Sequence, residues 1–288
     1  MTIEGARTVD VDGIPVGYFV EGQGPELLLL HGARGRPESS FPNLRAQLTK
    51  HRTAIIPGHS GSSVTPLPDG RLEVEMLVEQ VLGVVRAAAH GPVDVIGFSS
   101  GAVVGAAAAG TAPDLFRRMV FCGGFAHYGH PWQRLFTRTW LRLAELDPNA
   151  FAEYTLLHAL SDGHLDSLQA RERLELRAGL MPSPGMVAIT ELISRLDISE
   201  YLPKITAPTL VVGMNKDQLV PIRYARQFHE AIPDSKYTEI DSGHMVALEK
   251  PAELLTLIED FLEIGQGDRP GPLAPLLCCR ASDPRSAT

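Results

Sequence analysis

The chain has 288 residues, of which 44% are hydrophobic and 21% charged, with a net charge of −8 and a mean hydropathy near zero. That length can bury a large core, as one domain with an insertion or as two small domains, and the composition is that of a soluble globular protein. The acidic balance, without a dense Lys/Arg run, argues against nucleic acid as the main partner, because phosphate binding needs clustered positive charge; the apolar runs are too short to span a bilayer.

The first residues, MTIEGARTVD, lack a basic region followed by an apolar core, so no signal peptide is expected. Asp12-Gly13 reads as a hairpin turn leading into an alternating strand, IPVGYFV (14–20). ELLLL (26–30) is a continuous apolar run, as in a strand buried on both faces, and it stops at His31-Gly32. TAII (53–56) stops at Pro57-Gly58, and the three- and four-residue apolar spacing of 72–90 predicts a helix. VDVIG (93–97) runs into a serine turn, and the small-sided stretch 100–110 predicts the next helix. RMVFC (118–122) ends at Gly123-Gly124, PTLVVG (208–213) in a polar stretch, and KYTEI (236–240) at Asp241-Ser242-Gly243. Further helices are predicted over 223–231 and 251–264, the last entered through Pro251. Strands alternating with helices predict an α/β fold with a mostly parallel sheet covered on both faces. Ligands of such sheets gather at the carboxyl ends of the strands, where these glycine-rich and polar stretches fall.

The alternation breaks between 125 and 203. HPWQRLFTRTWLRLAEL, NAFAEYTLLHAL, SLQARERLELRAGL and GMVAITELISRL all read as helices, and the region holds both tryptophans, Trp132 and Trp140. The simplest organisation is a core formed by 1–124 and 204–265, a helical lid at 125–203, and a tail at 266–288. The tail, rich in Pro and Gly and without periodicity, is expected to be disordered. Three cysteines, Cys122, Cys278 and Cys279, make no disulfide framework and suit a reducing, cytoplasmic compartment.

Gly97, Ser99 and Gly101 fill the pattern G-x-S-x-G where a strand hands over to a helix. Short strings of this kind also arise by chance. A serine hydroxyl is a poor nucleophile near neutral pH and needs a base, a group to orient that base, and donors for the oxyanion that forms on attack. Asp217, in the loop after the 208–213 strand, is the candidate acid, and His244, in the loop after the 236–240 strand, is the candidate base. A loop Asp is usually a turn former and a loop His a surface residue; the order Ser, Asp, His at strand ends makes coincidence a poor explanation. His127 and His130 flank the lid entrance, but there is no H-E-x-x-H or C-x-x-C to pair with them, so no metal is expected. No P-loop or dinucleotide fingerprint appears, so no cofactor is expected either. Cys122 ends an apolar strand and reads as a buried small hydrophobe.

Together HGARG (31–35), PGHSGSS (57–63), GFSSG (97–101), GMNKDQLVP (213–221) and GHMVALEKP (243–251) resemble the α/β-hydrolase family over nearly everything outside the lid and tail. The resemblance implies Ser99 as nucleophile, His244 as general base and then acid, Asp217 as its orienting carboxylate, and the backbone N–H groups of Ala33 and Ser100 as the oxyanion hole. It implies structural roles for His31, His59 and Ser60, and Arg34 and Arg36 read as solvated, with contact to an acidic substrate group as the alternative. Serine rather than aspartate at position 99 argues against the dehalogenase and epoxide-hydrolase branches. The chain departs from many relatives at Ala102, where they carry a further glycine. The implied activity is hydrolysis of a small carboxylic ester, lactone or thioester through an acyl-enzyme. The alternatives are acyl transfer or C–C bond hydrolysis on the same triad, or ligand binding without catalysis on a hydrolase scaffold. The expected partner is a small-molecule substrate, with no membrane; oligomeric state is not legible. Trp132, Phe136, Trp140 and His127 are candidates for the pocket wall, although the helical spacing of the three aromatics also suits packing onto the core.

Overall fold

The structure, a computed structural model, describes residues 3–34 and 36–263. Strands β1 (Arg7–Val11) and β2 (Ile14–Gly22) form a hairpin closed at Val11 and Ile14. Asp12 and Gly13 carry it with φ of 52° and 81°, the mirror-image turn whose twist matches paired strands. There follow β3 (Glu26–Leu30), α1 (Pro42–Leu48), β4 (Thr53–Pro57), α2 (Val74–Ala88), β5 (Val93–Phe98), α3 (Ser100–Thr111) and β6 (Phe116–Cys122). The helices α4 (Pro131–Leu146), α5 (Pro148–Ala159), α6 (Asp162–Ser167), α7 (Ala170–Gly179) and α8 (Pro184–Ile193) then intervene. The chain returns through β7 (Thr209–Met214), α9 (Arg223–Ala231), β8 (Ser235–Ile240), α10 (Val246–Glu249) and α11 (Pro251–Leu262).

The strands lie in one sheet in the order β1-β2-β4-β3-β5-β6-β7-β8. From β4 to β8 every pairing is parallel, and only β1 and β2 run antiparallel to their neighbours. The continuous apolar runs have the cause the sequence suggests. Leu28 and Leu30 of β3 join a core with α2, α3 and α9, whereas Leu27 and Leu29 join a second core with α1 and α11. Two-residue periodicity thus feeds both faces of the sheet.

The helical insertion α4–α8 is closed at its base. Tyr128 N donates to Leu196 O at 2.9 Å and Ile198 N to Ala126 O at 2.8 Å, with His127 and Asp197 bridged between them. Four short elements had no sequence prediction: β1, α1, α6 and α10. Each is too short to show a full period; α6 is entered through Ser161, whose hydroxyl accepts from His164 N. Among the described residues no helix is long and apolar enough to cross a membrane. The 266–288 tail, with Cys278 and Cys279, lies outside the described residues.

Candidate active site

β5 delivers Ser99 to the carboxyl edge of the sheet on a sharp turn. Its φ of 54° and ψ of −123° lie where a residue with a Cβ is strained. The turn is held by Ser99 N donating to Cys122 O at 2.8 Å and by Ser99 O accepting from Ala102 N at 2.9 Å. The G-x-S-x-G spacing is steric in origin. A Cβ on Gly101 would stand 2.4 Å from Leu30 O, and one on Gly97 2.8 Å from Ala102 Cα. Glycine at both positions lets α3 seat against β3 and β5, and the room at Gly97 is what accommodates the fully buried Ala102.

Asp217 follows β7 and is nearly inaccessible, its side chain 1% exposed. Its Oδ1 accepts from Leu219 N and Val220 N, both at 2.8 Å, so the turn it forms also aims it. Its Oδ2 accepts from His244 Nδ1 at 2.6 Å. The two loops are tied together, since Asn215 N donates to Ile240 O and Lys216 N to Ser242 O. Burial alone would lower the proton affinity of the His244 imidazole; the charge and hydrogen bond of Asp217 outweigh it and hold its pKa above the ordinary value. An ionised carboxylate only accepts, so the proton of the neutral ring resides on Nδ1 and Nε2 is left free.

The imidazole and the serine turn meet at the end of β6. A Cβ on Gly123, which has φ of 65°, would lie 3.3 Å from His244 Cε1, and the preceding carbonyl of Cys122 is the one that holds Ser99 N. On the other flank, a Cβ on Gly32 would lie 3.3 Å from Ser99 Cβ and 3.8 Å from its Oγ. No hydrogen bond joins the Ser99 hydroxyl to His244 among the described residues.

The N–H groups of Ala33 and Ser100 donate to no acceptor among the described residues, and that of Ser100 opens α3, where helix N–H groups have no intrahelical partner. His31 Nδ1 donates to Gly32 O at 2.7 Å and His59 Nε2 to His31 O at 3.0 Å, which shapes the loop after β3. Burial pulls the His31 pKa down to about 4, and burial followed by the neighbouring His31 pulls that of His59 to about 3, so both rings are neutral at pH 7. Burial pushes the Cys122 thiol up, away from a nucleophilic state.

The alpha/beta hydrolase fold family matches residues 25–251. The chain belongs to this family. Pyrrolizixenacetamide deacetylase from Xenorhabdus hominickii is 33% identical over 88% of the chain and 97% of the relative. The 2-hydroxy-6-oxo-6-(2'-aminophenyl)hexa-2,4-dienoic acid hydrolase of Metapseudomonas resinovorans is 23% identical over 89% and 90%. In structure the chain is similar to the enol-lactonase from Burkholderia xenovorans LB400, with a TM-score of 0.80, 22% identity, and coverage of 89% of this chain and 100% of the other.

This α/β-hydrolase also uses residues that its sequence did not single out. Glu249, at the end of α10, accepts from Gly243 N at 3.2 Å, from Ser161 N at 2.9 Å and from Ser161 Oγ at 2.5 Å. It therefore fastens the insertion to the residue beside His244, and Met245 N adds a bond to Ala159 O at 3.1 Å. The fragment GHMVALEKP contained Glu249, but its partner Ser161 is 88 positions away and nothing local signals the pairing.

Next to Ser100 the hydrolase holds an apolar cavity of about 10 Å³, bordered from the insertion by Ile189, Leu192, Ile193 and Leu196. The buried hydroxyl of Ser100 has no partner among the described residues. Trp132, Phe136 and Trp140 form a run of ring contacts along α4, and Trp140 continues it to Phe151 while donating to Thr155 Oγ1 at 2.6 Å. His127 takes part in the bridge at the base of the insertion. None of these four borders the cavity at Ser100. A larger groove of about 850 Å³ runs between α4 and α8, and none of the candidate catalytic residues lines it. Among the described residues no group of three or more His, Cys, Asp or Glu side chains could hold a metal ion.

Proposed function

We propose that this α/β-hydrolase cleaves a small carboxylic ester, lactone or thioester through an acyl-enzyme on Ser99. The observation that carries the proposal is the 2.6 Å hydrogen bond from His244 Nδ1 to buried Asp217, on the same sheet edge as a serine held at positive φ. His244 Nε2 takes the Ser99 proton as Oγ bonds to the carbonyl carbon, a contact that closes when substrate enters. The N–H groups of Ala33 and Ser100 hold the resulting oxyanion. The tetrahedral species collapses, the imidazolium returns its proton to the leaving oxygen or sulfur, and the acyl group stays on Oγ. Water then gives a proton to His244 and its hydroxide to the acyl carbon; the acid departs and Ser99 regains its hydrogen.

The name of the Xenorhabdus hominickii relative favours a second reading on the same residues, in which the acyl group is released from nitrogen. The leaving amine then takes its proton from His244, so the proton inventory is unchanged. The deciding test is a fluorophosphonate probe. It should label the wild-type protein at Ser99 and leave Ser99→Ala unlabelled, and Ser99→Ala should lower ester turnover by roughly 10³-fold or more. A folded wild type that the probe does not label would move the function to ligand binding.

A further inference from the structure

Arg34 follows the proposed oxyanion donor Ala33 directly, and Gly32, two residues before it, lies against Ser99. Two residues of chain span at most about 7 Å, so the Arg34 backbone stands at the mouth of the site. Its guanidinium crosses toward the insertion, where Nη2 would be 3.1 Å from a Cβ placed on Gly179 at the end of α7. The next residue, Leu180, packs in the cluster that includes Met245, the neighbour of His244. Arg34 thus stands between the oxyanion loop and the insertion, close to the loop that carries the imidazole.

The side chain is exposed by area, yet protein walls the guanidinium closely enough that desolvation, followed by repulsion from Arg36, pulls its pKa down. No carboxylate, carbonyl or hydroxyl accepts from it among the described residues, whereas Arg45, Arg52, Arg117, Arg177 and Arg226 all hold acidic partners. A cation that has lost part of its hydration without gaining a counter-charge is set to take an anion from outside. A planar guanidinium suits a carboxylate, which it can bind through two parallel N–H bonds.

We infer that Arg34 is a specificity-determining residue that binds a carboxylate on the substrate, away from the bond that is cleaved. The inference rests on the proposed acyl hydrolysis at Ser99 and adds that the substrate is a monoanionic acid derivative. A neutral acyl compound of equal length would leave the guanidinium unpaired.

The experiment compares kcat/KM for the p-nitrophenyl monoester of glutaric acid with that for p-nitrophenyl valerate, in wild type and in Arg34→Gln. The ratio of acidic to neutral ester should fall roughly tenfold or more in Arg34→Gln. Arg34→Lys, which keeps the charge but loses the fork, should recover part of the ratio. A ratio unchanged in Arg34→Gln overturns the inference. Should wild type cleave neither ester, the acyl-hydrolase reading fails separately, and calorimetric titration of glutarate decides on Arg34. Binding that weakens in Arg34→Gln supports the carboxylate site, and equal or absent binding overturns it.

Discussion

Ser99 and His244 show opposite ways in which a single residue departs from its ordinary state. Ser99 holds a backbone conformation that costs about 1–3 kcal/mol, kept by the bonds to Cys122 O and from Ala102 N. His244 gives up solvation but gains Asp217, and the gain wins, leaving its pKa above that of an ordinary imidazole. A general base works only when neutral, so kcat/KM for an ester should rise with pH through a midpoint above that ordinary value. Asp217→Asn removes the partner that raises the pKa while burial remains. Its midpoint should therefore shift down, and its rate should fall by roughly 10³–10⁴-fold. A pH–rate profile of both proteins checks this, and a wild-type midpoint below the ordinary imidazole value would separate His244 from the base role. Ser99, Asp217 and His244 could be proposed from the sequence because each sits in the loop after a predicted strand, in a short string whose turn chemistry is local. Glu249 could not, because what distinguishes it is a contact with Ser161, far along the chain. Arg34 read as solvated, with contact to an acidic substrate group only as the alternative, because its approach to Gly179 is also distant in sequence.

At the scale of elements, the strands were read from two-residue alternation and continuous apolar runs, and the long helices from three- and four-residue spacing. The elements that escaped, β1, α1, α6 and α10, are short and draw their order from neighbours: β1 pairs with β2, and α1 places Leu44 and Leu48 in the core beneath β3 and β4. The insertion seats on the core by close backbone approach. A Cβ on Gly185 of α8 would fall 1.8 Å from Gly61 O, so only glycine fits there. A second seat is the Glu249 carboxylate. Glu249→Ala would leave the buried Gly243 N–H and Ser161 N–H without acceptors, at about 1–3 kcal/mol for a buried group left unpaired. Urea unfolding should show a loss in that range, and kcat should fall because the loop holding His244 loses an anchor. Glu249→Gln keeps an accepting oxygen and should retain most of both. Equal kcat in wild type and Glu249→Ala would show that the imidazole loop does not depend on this clamp.

For the molecule as a whole, the parallel sheet separates stability from chemistry by using its two edges differently. Near the amino-terminal edge, the fully buried Asp94 of β5 accepts from Arg52 Nη1 at 2.9 Å and from Arg117 Nε at 3.0 Å, while Arg52 Nη2 holds Leu262 O at the end of α11. Arg117 is half exposed and water screens its contribution, so the burden falls on Arg52, buried by the same contacts. Asp94→Ala should cost about 3 kcal/mol by leaving that guanidinium uncompensated, measured as a lower urea midpoint, and it should leave the kcat of the remaining folded protein near wild type. The carboxyl-terminal edge collects the loops after β3, β5, β6, β7 and β8, and with them the proposed catalytic groups. From the sequence by itself came the doubly covered parallel sheet, the break where the helical insertion enters, and the three residues of the proposed triad. These follow from periodicity and turn chemistry that a few neighbouring residues carry between them. Only the tertiary structure decided that Arg34 reaches the insertion, that Glu249 fastens it, and that α8 rather than the aromatic run of α4 borders the cavity at Ser100. Those outcomes depend on how two surfaces distant in sequence pack, and the energy that selects one packing belongs to the contact between them, which neither segment holds alone.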